Sequence, residues 1–183
     1  MKARTLLLED HRQILRVLNV LEEVTARVQR GQKPNEKDVK GVVEFLKGFG
    51  DSLHQGKEET ILFPALLLGP GQKNHRKLGH LIFEHNQERT LINRLADSMM
   101  TRKIKDFVYF GGHLVTILRS HLREEDEVLL PLMKETFSAA DDERVARDMK
   151  TYDRRWQDGD LAGMLRSLDG LESKYCRKLL KAG

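Results

Sequence analysis

The sequence has 183 residues and a formal net charge of +4, which fits one domain of ordinary size that can bury a core without disulfide staples. Charged residues make up 33% of the chain and aromatic residues 6%, a composition typical of a helix-rich soluble protein rather than a β-rich one. Because the charge is small and no concentrated basic stripe is present, nucleic-acid binding is not expected.

The single cysteine, Cys176, excludes an internal disulfide and a cysteine-based metal site. A reducing cytoplasm is therefore the expected location. The three leucines at positions 6–8 are too few for the apolar core of a signal peptide, and no apolar run is long enough to span a membrane. Any bound metal must be held by histidines and carboxylates.

Four long amphipathic segments follow one another along the chain, with apolar residues at helical spacing. The predicted helices cover residues 3–30, 36–68, 75–100 and 104–134. The GQKPN turn at 31–35 and the GPGQ turn at 69–72 separate the first three. Short connections favour antiparallel neighbours. The predicted fold class is all-α, with an up-down-up-down four-helix bundle in residues 1–137.

Residues 138–183 are predicted to form an additional C-terminal helical appendage that packs on the bundle, across its end. One or two helices are expected there, with a break marked by Gly159 and Gly163. The sequence does not indicate what this appendage does.

One histidine lies in the apolar stripe of each predicted bundle helix: His11, His54, His85 and His121. A single histidine of this kind is more often a core residue with a local partner than a metal ligand. However, residues on antiparallel neighbours lie at one level when they are equally distant from the connecting turn. The midpoints of the three consecutive pairs fall in GQKPN, LLGPG and TRKIK, which are all predicted turns. The four imidazoles are therefore predicted to converge on one layer.

Two of these histidines precede a glutamate by four residues, in the motifs HQGKEETILFP and HLREEDEVLLP. This spacing puts Glu58 one turn from His54 and Glu125 one turn from His121, on the same helix face. A buried, unpaired carboxylate needs a cation. Four imidazoles and two carboxylates suit iron, manganese or zinc and exceed what one tetrahedral zinc requires. They predict two ions, each with two histidines, bridged by both glutamates.

Three other side chains near these positions are alternative ligands. Glu88, three residues after His85, is within reach as a fifth ligand, although a surface salt bridge is the favoured interpretation. His80 lies about 140° round the helix from His85, so it is not expected to bind metal. Asp126 competes with Glu125, and the symmetry between the two motifs favours Glu125.

Each ligating imidazole should have a further hydrogen-bond partner, which the sequence does not assign. Glu9, Asp10 and Glu84 lie beside predicted ligands in the sequence, but neighbours in a helix are expected to point elsewhere. His113 is expected at the rim of the site and His75 in solvent. Three further acids are expected to form a solvated acidic rim: Glu59, Glu124 and Glu127.

The sequence resembles the hemerythrin-like domain, also called the HHE cation-binding domain. The resemblance covers about residues 3–135, and it is carried by EDHRQIL, HQGKEETILFP, FEHNQER and HLREEDEVLLP. It implies a non-haem di-iron site with an oxo or hydroxo bridge, whose metal-binding residues are His11, His54, Glu58, His85, His121 and Glu125. The first two histidines would bind one iron and the last two the other, with both glutamates bridging. Members bind O₂, nitric oxide or peroxide, sense iron and oxygen, or help to repair iron–sulfur clusters.

The resemblance has two departures. Oxygen-carrying members supply five histidines and place a second one a helical turn from the third-helix ligand, where this sequence has Leu81 and Arg89. They also place the second acid five residues after its histidine, where this sequence has Asp126. These departures argue against reversible O₂ carriage and leave a dinuclear site intact. The predicted function is a non-haem di-iron protein that binds or reacts with O₂, nitric oxide or peroxide. The alternative is an iron or oxygen sensor, or an interaction module, whose folding is coupled to metal occupancy.

The sequence contains no GxGxxG motif, no P-loop and no nucleophile–base pair. If the protein is an enzyme, the metal therefore carries the chemistry. A haem bundle with two axial histidines would explain two of the histidines but neither glutamate, and structural zinc is a further alternative. Zinc or manganese could also replace iron, and the oligomeric state is not indicated.

Overall fold

The computed structural model describes residues 1–68, 75–156 and 160–176, and within these ranges the chain is all-helical without a strand. The six continuous helices are α1 (Lys2–Gln29), α2 (36–67), α3 (His75–Met100), α4 (104–136), α5 (Ala139–Arg154) and α6 (Asp160–Tyr175). The bounds of the four bundle helices agree with the predicted bounds to within two residues. None of the described helices combines the length and the apolarity that a membrane crossing requires.

Both α2 and α4 change their winding along their length. Within α2, α-helical Glu36–Phe45 and Phe63–Leu67 flank π-helical Leu46–Gln55 and Glu58–Leu62. Within α4, π-helical Glu125–Leu129 lies between α-helical Ile104–Glu124 and Leu130–Thr136. The two five-residue π-helical segments end two residues before Pro64 and Pro131, which lack an N–H to donate. The helices therefore continue past the prolines through a widened turn.

Local sequence signals account for several helix ends. Gly31 has a φ of 87° after α1, a conformation that glycine adopts without strain. The side chain of Asn35 accepts a hydrogen bond from the backbone of Asp38 at 3.1 Å and so caps α2. Ser138 begins α5 with a reciprocal capping box.

Glycines mark two of the predicted helix breaks, one between α2 and α3 and one within the C-terminal appendage. The GPGQ turn and Gly159 lie outside the described residues. Within the appendage α5 ends at Arg154 and α6 begins at Asp160, so the expected break between two helices is present, but Gly163 lies inside α6 and not at the break. A single glycine costs a helix about 1 kcal/mol, which the packing of α6 against the rest of the protein offsets.

The core consists of two apolar clusters with a polar layer between them. One cluster fills the bundle from Ile14 to Val28 of α1, and the other packs around Leu7 near the start of this helix. On α1 and α3 the histidine follows residues of the second cluster and precedes residues of the first, and on α2 and α4 this order is reversed, except that Leu122 of the first cluster directly follows His121. The polar layer is therefore enclosed by apolar side chains on both sides.

The bundle helices contact one another in a closed ring, α1 with α2, α2 with α3, α3 with α4, and α4 with α1. Helices α5 and α6 lie along the face that α1 and α2 form. The expectation that the appendage crosses the end of the bundle was therefore wrong. Gly48 of α2 allows this close packing, since a Cβ atom there would lie 2.7 Å from the sulfur of Met164. The division into 1–137 and 138–183 stays a prediction.

Candidate metal centre

The four histidines of the bundle helices lie in the polar layer. Each is at most 3% exposed to solvent. They form two pairs, with ring centroids 5.0 Å apart for His11 and His54 and 4.9 Å apart for His85 and His121. In both pairs the rings are nearly perpendicular. The structure thus brings together the four imidazoles that were predicted to share one level.

Glu125 lies among all four imidazoles and is fully buried. Its Oε1 atom is 3.0 Å from Nε2 of His121 and 3.8 Å from Nε2 of His85. Its Oε2 atom is 3.2 Å from Nε2 of His11 and 3.8 Å from Nε2 of His54. One carboxylate therefore presents one oxygen atom to each pair of histidines.

Glu58, the glutamate of the first repeated motif, completes the centre. It is fully buried, and its Oε2 atom lies 3.4 Å from Nε2 of His85 and 3.7 Å from Nε2 of His54. Two sets of four donor atoms result, each with its atoms within 4.8 Å of one another, and they share both glutamates. The sets are His11, His54, Glu58 and Glu125, and Glu58, His85, His121 and Glu125.

The atoms that face this centre are not satisfied by the protein. The Nε2 atoms of the four histidines and all four oxygen atoms of Glu58 and Glu125 have no hydrogen-bond partner among the described residues. Buried polar atoms of native proteins are almost always paired, and buried carboxylates need a cation. Imidazole nitrogen and carboxylate oxygen are ligands of iron, manganese and zinc. The residues therefore fit a pair of such ions.

The outer nitrogens of the histidines face carboxylates on neighbouring helices. Three hydrogen bonds of this kind form, from Nδ1 of His11 to Asp126 (3.0 Å), from Nδ1 of His85 to Glu59 (2.7 Å) and from Nδ1 of His121 to Glu84 (2.8 Å). Such contacts fix the ring orientation and increase the electron donation of a ligating imidazole. Asp126 thus lies outside the centre, at an outer nitrogen, and Glu125 lies inside it.

Three expectations about the surrounding acids were wrong. Asp10 and Glu84 do not point away from the site, and Glu59 does not belong to a solvated rim, since all three face an outer imidazole nitrogen. A residue next to a core position is turned by about 100°, which directs it toward the adjacent helix of a bundle. The missed signal was an acid directly beside one core position on each bundle helix, in the dipeptides DH, EE, EH and ED.

The charges in the layer shift the pKa values of its members in opposite directions. Burial alone would lower the pKa of His54, but Glu58 and the other carboxylates raise it to about 10. The same competition raises the pKa of His85 to about 9 and that of His121 to about 12. Burial would raise the pKa of Glu125, but His121 and the other imidazoles hold it well below its usual value. Without metal, the layer therefore retains protons.

Glu88 lies beside the second pair of histidines and is fully buried, so the surface salt bridge favoured from the sequence was wrong. Its Oε2 atom accepts a hydrogen bond of 2.5 Å from the side chain of Gln55. Its Oε1 atom is 3.8 Å from Nδ1 of His121 and has no hydrogen-bond partner in the described part of the chain. Burial raises the pKa of Glu88 to about 7. Its role as a fifth ligand stays a prediction.

The three remaining histidines lie outside the layer. The side chain of His80 is 53% exposed and lies 3.5 Å from Glu84, away from the centre. His75 is exposed, as expected. His113 is also exposed and stacks on Tyr109 with ring centroids 5.9 Å apart, so its expected place at the rim of the site was wrong.

Comparison with known proteins agrees with this geometry. The family model described as the hemerythrin HHE cation binding domain matches residues 3–133, well over half of the chain. The match contains all the residues of the polar layer and ends before α5 begins. A search of curated proteins gave no match.

Proposed function

The chain belongs to the hemerythrin HHE cation-binding family, and from this membership we propose that it is a non-haem di-iron protein that binds or reacts with O₂, nitric oxide or peroxide. The observation that carries the proposal is the set of eight buried nitrogen and oxygen atoms that face one centre and have no hydrogen-bond partner among the described residues. Two buried carboxylates need positive charge beside them, and divalent cations would supply it in place of the protons that the imidazoles otherwise retain.

The proposed ligands divide into two half-sites. His11 and His54 bind one iron, and His85 and His121 bind the other. Both glutamates bridge the two ions, together with an oxo or hydroxo group from solvent. The distances from Glu125 to all four histidines support this assignment. Because the bundle helices contact their sequence neighbours and histidines of all four meet at one level, an up-down-up-down topology is part of the proposal.

Iron is proposed because the ligand set combines neutral imidazoles with carboxylates and offers more donors than tetrahedral zinc uses. Manganese or zinc would satisfy the same charges. Iron with an open coordination position supplies Lewis acidity and one-electron chemistry. The protein holds the donors in place through the outer hydrogen bonds and excludes bulk water through the two apolar clusters.

The proposed ligand is small because the space beside the centre is small. The cavity that His54 and His121 line has a volume of about 10 Å³, with Ile14, Leu118 and Leu122 on its apolar walls. This is room for about one water molecule. A diatomic molecule or peroxide is close to this size and would enter with a small adjustment of side chains.

The direct test is metal analysis of the purified protein, followed by rapid mixing. We expect two irons per chain, with oxo-to-iron charge-transfer absorption in the near ultraviolet. The reduced protein is then mixed separately with O₂, nitric oxide and peroxide, and the absorption is followed. One zinc per chain, or an iron protein that reacts with none of the three, would contradict the proposal.

The alternative of a metal sensor is favoured by one observation, which is that metal loss would leave the buried carboxylates Glu58 and Glu125 without a divalent cation. Hydrogen exchange of the iron-loaded and iron-free forms tests it. A sensor should lose amide protection in α2 and α4 when iron is removed. The cytoplasmic location inferred from the single cysteine stays a prediction.

A further inference from the structure

Lys57 carries a buried positive charge beside the candidate metal centre. It is 1% exposed, although lysine is rarely buried unless its charge is paired. Its Nζ atom lies 2.6 Å from Oδ2 of Asp10 and 2.8 Å from Oδ1 of Asp153. Both contacts are ion pairs. Two carboxylates from different helices therefore compete for one ammonium group.

Asp10 is the carboxylate that faces His54, and this contact is longer than the corresponding contacts of His11, His85 and His121 with their carboxylates. The distance from Nδ1 of His54 to Oδ2 of Asp10 is 3.6 Å, whereas the other three histidines donate over 2.7–3.0 Å. The Nδ1 atom of His54 consequently has no hydrogen-bond partner among the described residues. Asp10 is drawn toward Lys57 instead, and His54 lacks the partner that would strengthen it as a ligand.

Asp153 belongs to α5, which lies outside the segment that matches the family. The neighbouring residue Tyr152 packs over Gly56, where a Cβ atom would collide with its ring and hydroxyl group, and donates a hydrogen bond of 3.0 Å to the carbonyl of Ser52. These contacts bring α5 against α2 at the turn that separates His54 from Lys57. The position of Asp153 is thus set by how α5 docks.

We propose that α5 controls the His11–His54 half of the metal centre, through Asp153, Lys57 and Asp10. The inference rests on the proposed function, because it needs a metal at this half-site. Asp153 shares the positive charge of Lys57 and so leaves Asp10 partly available to His54. When α5 undocks, Lys57 holds Asp10 alone and draws it further from the imidazole. The iron on this half-site is then bound less tightly, while the His85–His121 half is unaffected.

Asp153 is therefore a positioning residue, and the direction in which its loss changes iron binding at the first half-site can be predicted. Removing its charge should weaken the first half-site, because the whole charge of Lys57 then acts on Asp10. Removing the charge of Lys57 should have the opposite effect, because Asp10 is then free to accept a hydrogen bond from Nδ1 of His54. A variant that lacks both charges should behave like the Lys57 variant, since Asp153 acts only through Lys57.

The test compares Asp153→Asn, Lys57→Met and the double variant with Asp148→Asn, which removes an exposed charge from the same helix. Each full-length protein is loaded with ferrous iron, its iron content is measured, and a ferrous chelator is added. We expect the more labile iron to leave about tenfold faster from Asp153→Asn than from Asp148→Asn, and more slowly from Lys57→Met and the double variant. Mössbauer spectra should show a change in one of the two iron environments.

The outcomes separate the two proposals. Wild-type protein that holds no iron would overturn the proposed function and this inference together. Two irons per chain with equal release from Asp153→Asn and Asp148→Asn would overturn only the inference. Release that is faster from Lys57→Met would also overturn it, provided that thermal unfolding of the metal-free variant shows a folded protein. If that variant is unfolded, the comparison of Asp153→Asn with Asp148→Asn decides.

Discussion

Glu125 places its Oε1 atom 3.0 Å from Nε2 of His121, one helical turn earlier on α4. Because its other oxygen atom faces the first pair of histidines, we expect Glu125→Ala to lose most of the bound metal. Asp126→Ala should keep both ions with about tenfold weaker binding, since Asp126 contacts only the outer nitrogen of His11. Elemental analysis after dialysis measures both effects. Equal loss from the two variants would contradict the assignment of the bridge.

Removal of metal should reverse the way in which stability depends on pH. In the metal-free protein the folded pKa of His54 is about 10 and that of His85 about 9, both above the ordinary value of 6.5. A raised histidine pKa stabilises the fold fully below pH 6.5 and loses this effect as pH rises through the folded pKa. The metal-free protein should therefore melt at a lower temperature at pH 9 than at pH 6.

The loaded protein should show the opposite trend over the acidic range. Protons compete with metal for the imidazoles, so acid should release the ions and lower the melting temperature. Differential scanning calorimetry of both forms in matched buffers between pH 5 and about pH 10 tests whether their melting temperatures change with pH in opposite directions. Parallel curves for the two forms would show that no metal occupies the imidazole layer.

The outer carboxylates should tune the affinity of the metal without changing the number of ions. Glu84 accepts a hydrogen bond of 2.8 Å from Nδ1 of His121 and is lowered in pKa by this contact. Glu84→Gln keeps the size of the side chain but removes its charge, so we expect about tenfold weaker metal binding. Competition with a chelator measures the affinity. Glu9→Gln is the control, because Glu9 is exposed on α1, and an equal effect of both variants would argue against a specific role.

The sequence predicts the histidines of the polar layer well, and it predicts the carboxylates that contact their outer nitrogens poorly. A constant rise per residue places His11, His54, His85 and His121 at one level without any knowledge of helix rotation. The outer contacts depend on rotation, because Glu59 reaches His85 only if α2 and α3 pack with particular faces together. Helical periodicity fixes which face is apolar, but it does not fix the partner of a residue at the edge of that face.

Lys57 shows a second limit of the sequence. In HQGKEETILFP it looks like a solvated lysine among acids, but it is buried and paired with Asp10 of α1 and Asp153 of α5. The appendage was expected across the end of the bundle, where it could not have reached this residue. Its true position depends on Gly48 and Gly56, whose missing side chains open the surface of α2. A glycine in a helix predicts close packing but not the element that packs there.

Asp38 should link α6 to the start of α2 in a way that depends on pH. Burial alone would raise the pKa of Asp38, but contacts from Lys174 and the hydroxyl group of Tyr175 lower it. A lowered carboxylate pKa stabilises the fold above the unfolded pKa and loses this effect as pH falls through the folded pKa. We expect Asp38→Asn to lower the free energy of unfolding by about 1 kcal/mol at pH 7 and to have no effect at pH 2. A difference from wild type that persists at pH 2 would contradict this linkage.

Gly111 should be required for the contact between α4 and α1. A Cβ atom at this position would lie 2.6 Å from the hydroxyl oxygen of Thr25, which is buried. Gly111→Ala is therefore expected to lower the free energy of unfolding by about 1–3 kcal/mol, despite the better helix propensity of alanine. Gly112→Ala is the matched control, because Gly112 is exposed with no described atom in the way, and it should stabilise the protein by up to about 1 kcal/mol.

A double-mutant cycle separates the collision at Gly111 from other effects of the substitution. In a Thr25→Ala background the hydroxyl oxygen is absent, so Gly111→Ala should cost much less than in wild type. Urea unfolding of the metal-free proteins gives the four free energies. Equal costs in both backgrounds would show that Thr25 does not limit the approach of the two helices. A Gly111→Ala variant as stable as Gly112→Ala would show that α4 and α1 can separate without loss at this level.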